Sequence, residues 1–377
     1  MNAATYDVVV VGAGIVGAAC AMECARHNLR VAVADVSTIG GGATAAGMGH
    51  IVVMDDSDSQ FALTRYSQQL WRELQSELPD DVEYVECGTI WVAADDEEFE
   101  AVHRKQAWYT ERGVPAQVLS SGDLEKVEPN LRKGLSGGLL VPQDGVLYPP
   151  CAARFLLEKA QERGATVQLG PPVVEIGNGR IRRADGSEVC GGVIVNAAGA
   201  WSGELTPGIK VKKRKGHLVI TDRYPGFVHH QLVELGYLKS AHSLTADSVA
   251  FNVQPRRTCQ LLIGSSSQYG AEHTEVDHGI LARMLERAQL YMPALAETSA
   301  IRVWTGFRAA TPDKLPFIGP WTEDSTIFLA TGHEGLGITT SLATARLLTE
   351  QLLGTTSAIA REPYLPSRAG SMEHAHA

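Results

Sequence analysis

The sequence predicts an α/β protein in which a Rossmann-like dinucleotide-binding domain carries a second domain built on a mixed, mainly antiparallel β-sheet. Three observations lead there: a glycine-rich βαβ unit at the start of the chain, a later strand that runs into a small-residue turn at Ala197 to Trp201, and a stretch from about Val211 to Tyr269 rich in short strand patterns.

The first unit is the most legible. The β-branched run Tyr6-Asp7-Val8-Val9-Val10-Val11 ends in Gly12-Ala13-Gly14-Ile15-Val16-Gly17 and passes into a helix-compatible stretch, Ala18 to His27. Asn28 stops that helix, and Leu29 to Ala34 runs as a second strand to Asp35, closing a βαβ unit of about 30 residues. In this pattern Gly12 permits the tight turn, Gly14 lets the backbone approach a pyrophosphate, and Gly17 lets helix and strand pack closely. The helix N-terminus offers N–H groups to phosphates. Asp35, followed by Val36 and Ser37, is placed to accept hydrogen bonds from a ribose 2′-hydroxyl and to repel a 2′-phosphate.

The next segment, Ser37 to Gly49, has almost no bulk: Gly42, Ala43, Thr44, Ala45, Ala46, Gly47 and Met48 follow Gly40 and Gly41. Such a backbone can lie close against a flat ligand. From Ser59 to Leu78 the spacing of Phe61, Tyr66, Leu70, Trp71, Leu74 and Leu78 predicts an amphipathic helix. A strand at Gly88 to Val92, a helix from about Glu97 to Arg112 and a strand at Pro115 to Val118 predict an inserted α+β segment. A helix from about Pro150 to Arg163 and a strand at Ala165 to Leu169 resume the parallel pattern. Pro172 to Ile176, which includes Val173 and Val174, faces Arg180 to Ala184 across Gly177-Asn178-Gly179 as a hairpin. Gly192 to Asn196 then ends in Ala197-Ala198-Gly199-Ala200-Trp201, a second line of contact to the dinucleotide.

After the strand-rich region come a helix near Ile280 to Tyr291, the runs Trp304 to Arg308 and Leu315 to Gly319, and a last strand, Thr326 to Ala330. This strand leads through Thr331-Gly332-His333-Glu334-Gly335-Leu336-Gly337 into a helix reaching about Leu353. The expected division is residues 1–80, 145–205 and 305–360 in the nucleotide domain, 81–144 and 206–304 in the other, and 361–377 as a tail.

Composition narrows the function. A net charge of −10 opposes a nucleic-acid surface, which draws its affinity from concentrated Lys and Arg. The one basic run, Lys212-Lys213-Arg214-Lys215, reads as a solvated strand end. Six cysteines show no CxxC and no paired Cys/His spacing, so no metal or iron–sulfur centre is expected in this chain. No secretion signal and no apolar stretch of about 20 residues is visible, which points to the cytoplasm with peripheral membrane association left open.

Taken together, the motifs resemble the FAD-dependent D-amino-acid oxidase/glycine oxidase superfamily nearly end to end. The match consists of the GxGxxG unit with Asp35, the Gly40–Gly49 loop, Val173-Val174, Asn196 to Trp201, Gly306-Phe307-Arg308 with Thr311-Pro312-Asp313 and Pro316 to Gly319, and Gly332-His333 before the last helix.

The resemblance implies a glycine oxidase-like fold and a non-covalent, extended FAD. Gly12 to Gly17 would hold its phosphates, Asp35 its ribose, the Val174 main chain its adenine, and Thr44 to Met48 its flavin. The N-terminus of the closing helix, Gly335-Leu336-Gly337-Ile338-Thr339, would point its dipole at the flavin N1/O2 edge. Arg308 matches the arginine that pairs with the substrate carboxylate in this family. His50, His333 and Phe251 are candidates for contact with substrate or flavin. Glu334, where relatives often carry a bulkier or basic residue, implies extra room or a negative charge near the pocket.

The implied reaction is hydride transfer from the α-carbon of a small amino or imino acid to flavin N5. Lys215-Gly216-His217 and the Pro363 to Arg368 segment look most like flavoprotein subunits of heteromeric dehydrogenases of the D-hydroxyproline dehydrogenase and hydrogen cyanide synthase type. Those subunits pass electrons to partners carrying iron–sulfur or flavin centres. A free-standing oxidase of glycine, sarcosine or D-amino acids and a non-catalytic flavin-holding subunit stay open. An NAD-dependent dehydrogenase leaves the Arg308 segment unexplained.

Overall fold

The computed structural model describes residues 5–236 and 247–368; the ends of the expected nucleotide domain and tail, and part of the expected second domain, lie outside them. Two eight-stranded sheets divide the chain. The main path of the first runs Phe317–Pro320, Ile327–Thr331, Glu188–Asn196, Thr5–Val11, Val31–Asp35, Thr166–Leu169 from edge to edge. The four pairings from Ile327–Thr331 through Thr166–Leu169 are parallel, as crossover connections through helices require, and only Phe317–Pro320 pairs antiparallel on this path. The 173–183 hairpin joins this sheet at the Glu188–Asn196 strand; Asn178 at its tip adopts φ 49°, the left-handed geometry a tight reversal needs.

Val8 to Val11 and Val31 to Ala34 are buried because parallel strands are covered on both faces. One cover is the helix Ile15–Arg26, wedged between the closing helix Gly337–Leu353 and the helix Pro149–Gln161. Its buried run Ala18-Ala19-Cys20-Ala21 is small enough to admit both neighbours. Gly17 lies so close beneath the first turn that a Cβ there would sit 2.0 Å from the Gly12 carbonyl oxygen, the close helix–strand packing expected of the third glycine.

The second sheet runs Ala300–Ala310, Lys212–Arg223, Gln260–Tyr269, Ser248–Pro255, Gln231–Glu234, Thr89–Ala93, Gly137–Val141, Gln117–Ser120. It is antiparallel except where Gln231–Glu234 pairs with Thr89–Ala93. One face packs on the helix His278–Tyr291 through Phe251, Val253, Met284 and Ala288. The other faces the first sheet.

Three expectations need correction. The Ala300–Ala310 strand pairs along its length with Lys212–Arg223, so 305–310 belong to the second sheet and the chain returns to the first only after Thr311. The basic run is not solvated at every position. Strand alternation buries Arg214 against Glu334, and Lys215 is fully buried, with Nζ donating to the Glu275 carbonyl, whereas Lys213 is bridged by Glu204 and Glu272 near the surface. Residues 361–368 are no loose tail: Tyr364 is buried and donates to the Ser59 carbonyl, and Arg368 pairs with Asp313. Among the described residues no helix is long and apolar enough to cross a membrane.

Candidate active site

A cleft of about 760 Å³ runs between the two sheets, from the first turn of the Ile15–Arg26 helix to the Arg308 guanidinium. At one end Gly12, Gly14, Ile15 and Val16 line it, as do Asp35, Val36 and Ser37. Ala13 does not. It is fully buried, and its N–H donates to Asp35 Oδ2 at 2.5 Å, while Asp35 Oδ1 accepts from Val36 N at 2.6 Å. The carboxylate is thereby fixed at the strand end, bridging the glycine turn to the loop that follows.

The small-residue segment forms the middle wall. Thr44 Oγ1 accepts from Ile15 N at 3.0 Å, tying this loop to the helix. Gly42, Ala43, Thr44, Ala46, Gly47 and Met48 line the cleft, whereas Ala45 turns to its other side. The loop lies flat on the second sheet, for a Cβ at Gly306 would come 2.2 Å from Ala46 Cβ. Opposite it are Ala197, Ala198, Gly199 and Trp201, and at the rim Val173. Val174 is not part of the lining and is largely exposed.

At the far end the closing segment brings His333, Glu334, Gly335, Leu336, Gly337 and Ile338 to the cleft. Thr339 and Gly332 serve structure instead. Thr339 Oγ1 donates to the His50 carbonyl at 2.7 Å, and a Cβ at Gly332 would strike Thr311 Cγ2.

Arg308 Nη1 donates to the Ser266 carbonyl at 2.9 Å, which sets the guanidinium over Gly216, where a Cβ would come within 2.5 Å of Nη1. Beside it Glu334 accepts from Thr311 N and pairs with Arg214 at 2.6 Å. Burial pushes the Glu334 carboxyl up while the Arg214 charge pulls it down. The Glu334 carboxyl thus faces the Arg214 guanidinium, with Arg308 beside the pair at this end of the cleft.

Both candidate histidines line the cleft as neutral rings. His50 is pushed down to about 4 by burial and by the Arg308 charge, and its Nε2 is buried without a partner. His333 is pushed down to about 3 by burial, and its Nε2 lies 3.0 Å from Thr344 Oγ1, so this ring anchors the closing helix. Phe251 is a correction: it is fully buried on the opposite face of its strand, stacked on Tyr291 with centroids 4.5 Å apart. Its neighbour Asn252 lines the cleft, as do Trp91, Gln231, Arg214 and Gly216, none of which motif reading singled out as site residues. Strand parity was the signal: 214, 216 and 218 face the cleft, and Lys215 and His217 turn away, His217 Nε2 accepting from Asp277 N.

Fold and cleft define a dinucleotide-type site that ends at the Arg308 guanidinium. The family model described as FAD dependent oxidoreductase matches residues 7–351, and the chain belongs to that family. It is 29% identical over 360 residues to a glycine oxidase of Geobacillus kaustophilus, covering 92% of each chain. It is 27% identical over 415 residues to the hydrogen cyanide synthase subunit HcnC of Pseudomonas aeruginosa, covering 97% of this chain and 96% of that one. The crystal structure of glycine oxidase from Geobacillus kaustophilus superposes with a TM-score of 0.87 at 27% identity, over 97% and 99% of the two chains.

The cleft fits FAD. Its wall of small residues leaves room for an extended flat molecule, the N-terminus of the Ile15–Arg26 helix opens on it and would hold the phosphates, and Asp35, at the strand end beside it, would accept from a ribose hydroxyl. The protein is an FAD-dependent oxidoreductase. Among the described residues, no group of three or more His, Cys, Asp or Glu is arranged to hold a metal.

Proposed function

We propose that this chain oxidises the C–N bond of a small amino or cyclic imino acid, D-hydroxyproline- or D-proline-like, as a dehydrogenase whose electrons pass to a partner subunit or another acceptor. The observation that carries this reading is Arg308, a guanidinium held over Gly216 at the end of the cleft beside Gly335. A planar fork of donors grips both oxygens of a carboxylate and so fixes the α-carbon. Bound FAD would supply the acceptor for the hydride leaving that carbon, while the lone pair of the neutral amine nitrogen becomes the second bond of C=N; the resulting iminium is released and hydrolysed by water, which also takes up the proton from nitrogen.

The rest of the site suits a neutral amine. His50 and His333 add no charge that would compete for the carboxylate, and Glu334 is occupied by Arg214. Orientation, more than a strong base, then carries the step. The likeness to HcnC, named as a subunit, supports the part of this reading that places the chain among partner chains. The likeness to glycine oxidase supports amine oxidation and puts glycine and sarcosine in the test panel.

The test is anaerobic mixing of the FAD-loaded protein with proline and hydroxyproline isomers, glycine, sarcosine and D- and L-amino acids, followed by the loss of flavin absorbance. Rapid bleaching by a cyclic imino acid, with dye reduction faster than peroxide formation in air, is the expected result. Stoichiometric peroxide would replace the dehydrogenase by an oxidase. If no candidate bleaches the flavin, the catalytic reading gives way to a flavin-holding subunit.

A further inference from the structure

Trp91, Val233 and Asn252 stand at matched register on three neighbouring strands, Trp91 beside Val233 and Val233 beside Asn252. Gln231 lies two residues before Val233, on the same face. All four line the cleft, while Ile90, Leu232, Phe251 and Val253 alternate into the core behind them.

This row is polar where a strand face inside a protein is usually apolar. Trp91, Gln231 and Asn252 are 3%, 3% and 8% exposed. Each has a buried polar atom with no partner: Trp91 Nε1, Gln231 Oε1 and Asn252 Oδ1. Gln60, from the helix Asp58–Leu74, adds a fourth, Oε1. Buried polar groups in folded proteins are almost always paired, so several unpaired ones on one cavity wall mark a place where a ligand supplies the partner. Terminal amide torsions are soft, which lets these groups turn toward it.

We propose that Trp91, Gln231 and Asn252 form a distal subsite that selects substrates bearing an uncharged hydrogen-bonding group, a hydroxyl above all, on the side chain or ring. This deepens the proposed function and rests on it for the position of the carboxylate at Arg308. The Arg308 strand and the Asn252 strand are three strand spacings apart, about 14 Å along the sheet, and the arginine side chain covers a good part of that distance. A small substrate clamped at Arg308 therefore presents its far side first to Asn252, with Gln231 and Trp91 one and two strands further along the row. A hydroxyl both donates and accepts, and the row offers an indole N–H that donates and amides that do either. The row itself is uncharged. Lys105 lies behind the Trp91 ring, 4.4 Å from its centroid and paired with Asp55, and Asp56 is exposed at the rim.

The experiment compares proline with 4-hydroxyproline of the same ring configuration, by anaerobic flavin reduction in wild type, Asn252→Leu, Gln231→Leu and Trp91→Phe. Trp91→Phe keeps a ring and removes the N–H, so it serves where an amide variant loses FAD. Wild type is expected to favour the hydroxylated ring by about a hundredfold or more, and each variant to reduce that ratio at least about tenfold. A ratio unchanged in all folded variants, or a wild-type preference for proline or for lysine-like cationic substrates, overturns the proposal. Titration with tetrahydrofuran-2-carboxylate and its 4-hydroxy derivative, followed by the flavin spectrum, reads the subsite without turnover. If neither imino acid bleaches the flavin, the proposed reaction falls while these ligands still decide the subsite: tighter binding of the hydroxylated one supports it, and equal binding overturns it.

Discussion

Arg214 and Glu334 form a buried ion pair, Nη2 to Oε2 2.6 Å, with side chains 11% and 7% exposed, at the mouth of the pocket that holds Arg308. They come from different parts of the fold, the Lys212–Arg223 strand and the segment before the closing helix, so the pair fastens one sheet to the other. Breaking a buried pair by removing one partner costs about 3–5 kcal/mol. Glu334→Gln is therefore expected to lower unfolding stability by about 3 kcal/mol, and Arg214→Met with Glu334→Gln, which keeps an acceptor for Thr311 N, to restore most of it. Denaturant titration of the FAD-free proteins reads both; a double variant no more stable than the single one would contradict this account.

Arg308→Ala is expected to weaken carboxylate substrates and leave FAD content nearly intact. Two charge-assisted hydrogen bonds are worth about 3–6 kcal/mol together, a factor of roughly a hundred to ten thousand in kcat/KM. Steady-state kinetics alongside the ratio of flavin to protein absorbance separates the effects. Wild-type kinetics in this variant would remove the clamp.

Gly216 is the space that Arg308 uses. A methyl group at 216 would meet Nη1 at 2.5 Å and Cζ at 2.8 Å, and because the neighbour is the end of a flexible side chain, the guanidinium moves rather than the fold. Gly216→Ala should then cost about tenfold to a hundredfold in kcat/KM through misplacement alone. Its melting temperature should stay within a few degrees of wild type, a comparison that thermal scanning supplies.

The βαβ unit, the small-residue loop and the closing segment were legible in the sequence because each carries its job in local backbone chemistry. Gly12, Gly14 and Gly17 work through turn, approach and packing, and Asp35 through its place at a strand end. The side chains contributed by the second sheet were not legible in this way. Which of Phe251 and Asn252 faces the cleft depends on register, and a one-residue shift exchanges core for site. Likewise, a run of four basic residues reads as a solvated face until long-range partners such as Glu334 and the Glu275 carbonyl are known.

Gly14 offers a direct test of the phosphate end. Its backbone, φ −68°, suits any residue, and a Cβ there would meet only Thr44 Oγ1, at 3.2 Å, so the fold tolerates a side chain that the cleft does not. Gly14→Val is expected to retain the apoprotein's circular dichroism and lower bound FAD by about tenfold or more, since the backbone can no longer approach the pyrophosphate. Full flavin loading would show that the phosphates lie elsewhere.

Asp144 sets a pH dependence away from the cleft. Its carboxylate accepts from Val53 N at 3.1 Å and from Gln68 Nε2 at 2.8 Å, yet full burial pushes it up to about 7, against a usual 3.8. Between these two values the folded protein binds a proton here that the unfolded chain has released. The slope of unfolding free energy with pH is then negative for this group: its contribution is fully present below pH 3.8 and is lost as pH rises through about 7. Asn cannot ionise and keeps an acceptor for the same donors, so Asp144→Asn should gain on wild type as pH rises from 4 to 8, by a few kcal/mol in order of magnitude. Other carboxylates titrate in the same range, so the informative quantity is the difference between the two proteins at each pH, measured by denaturant unfolding. A difference that stays flat across the range would mean that Asp144 is ionised in the folded state at pH 5.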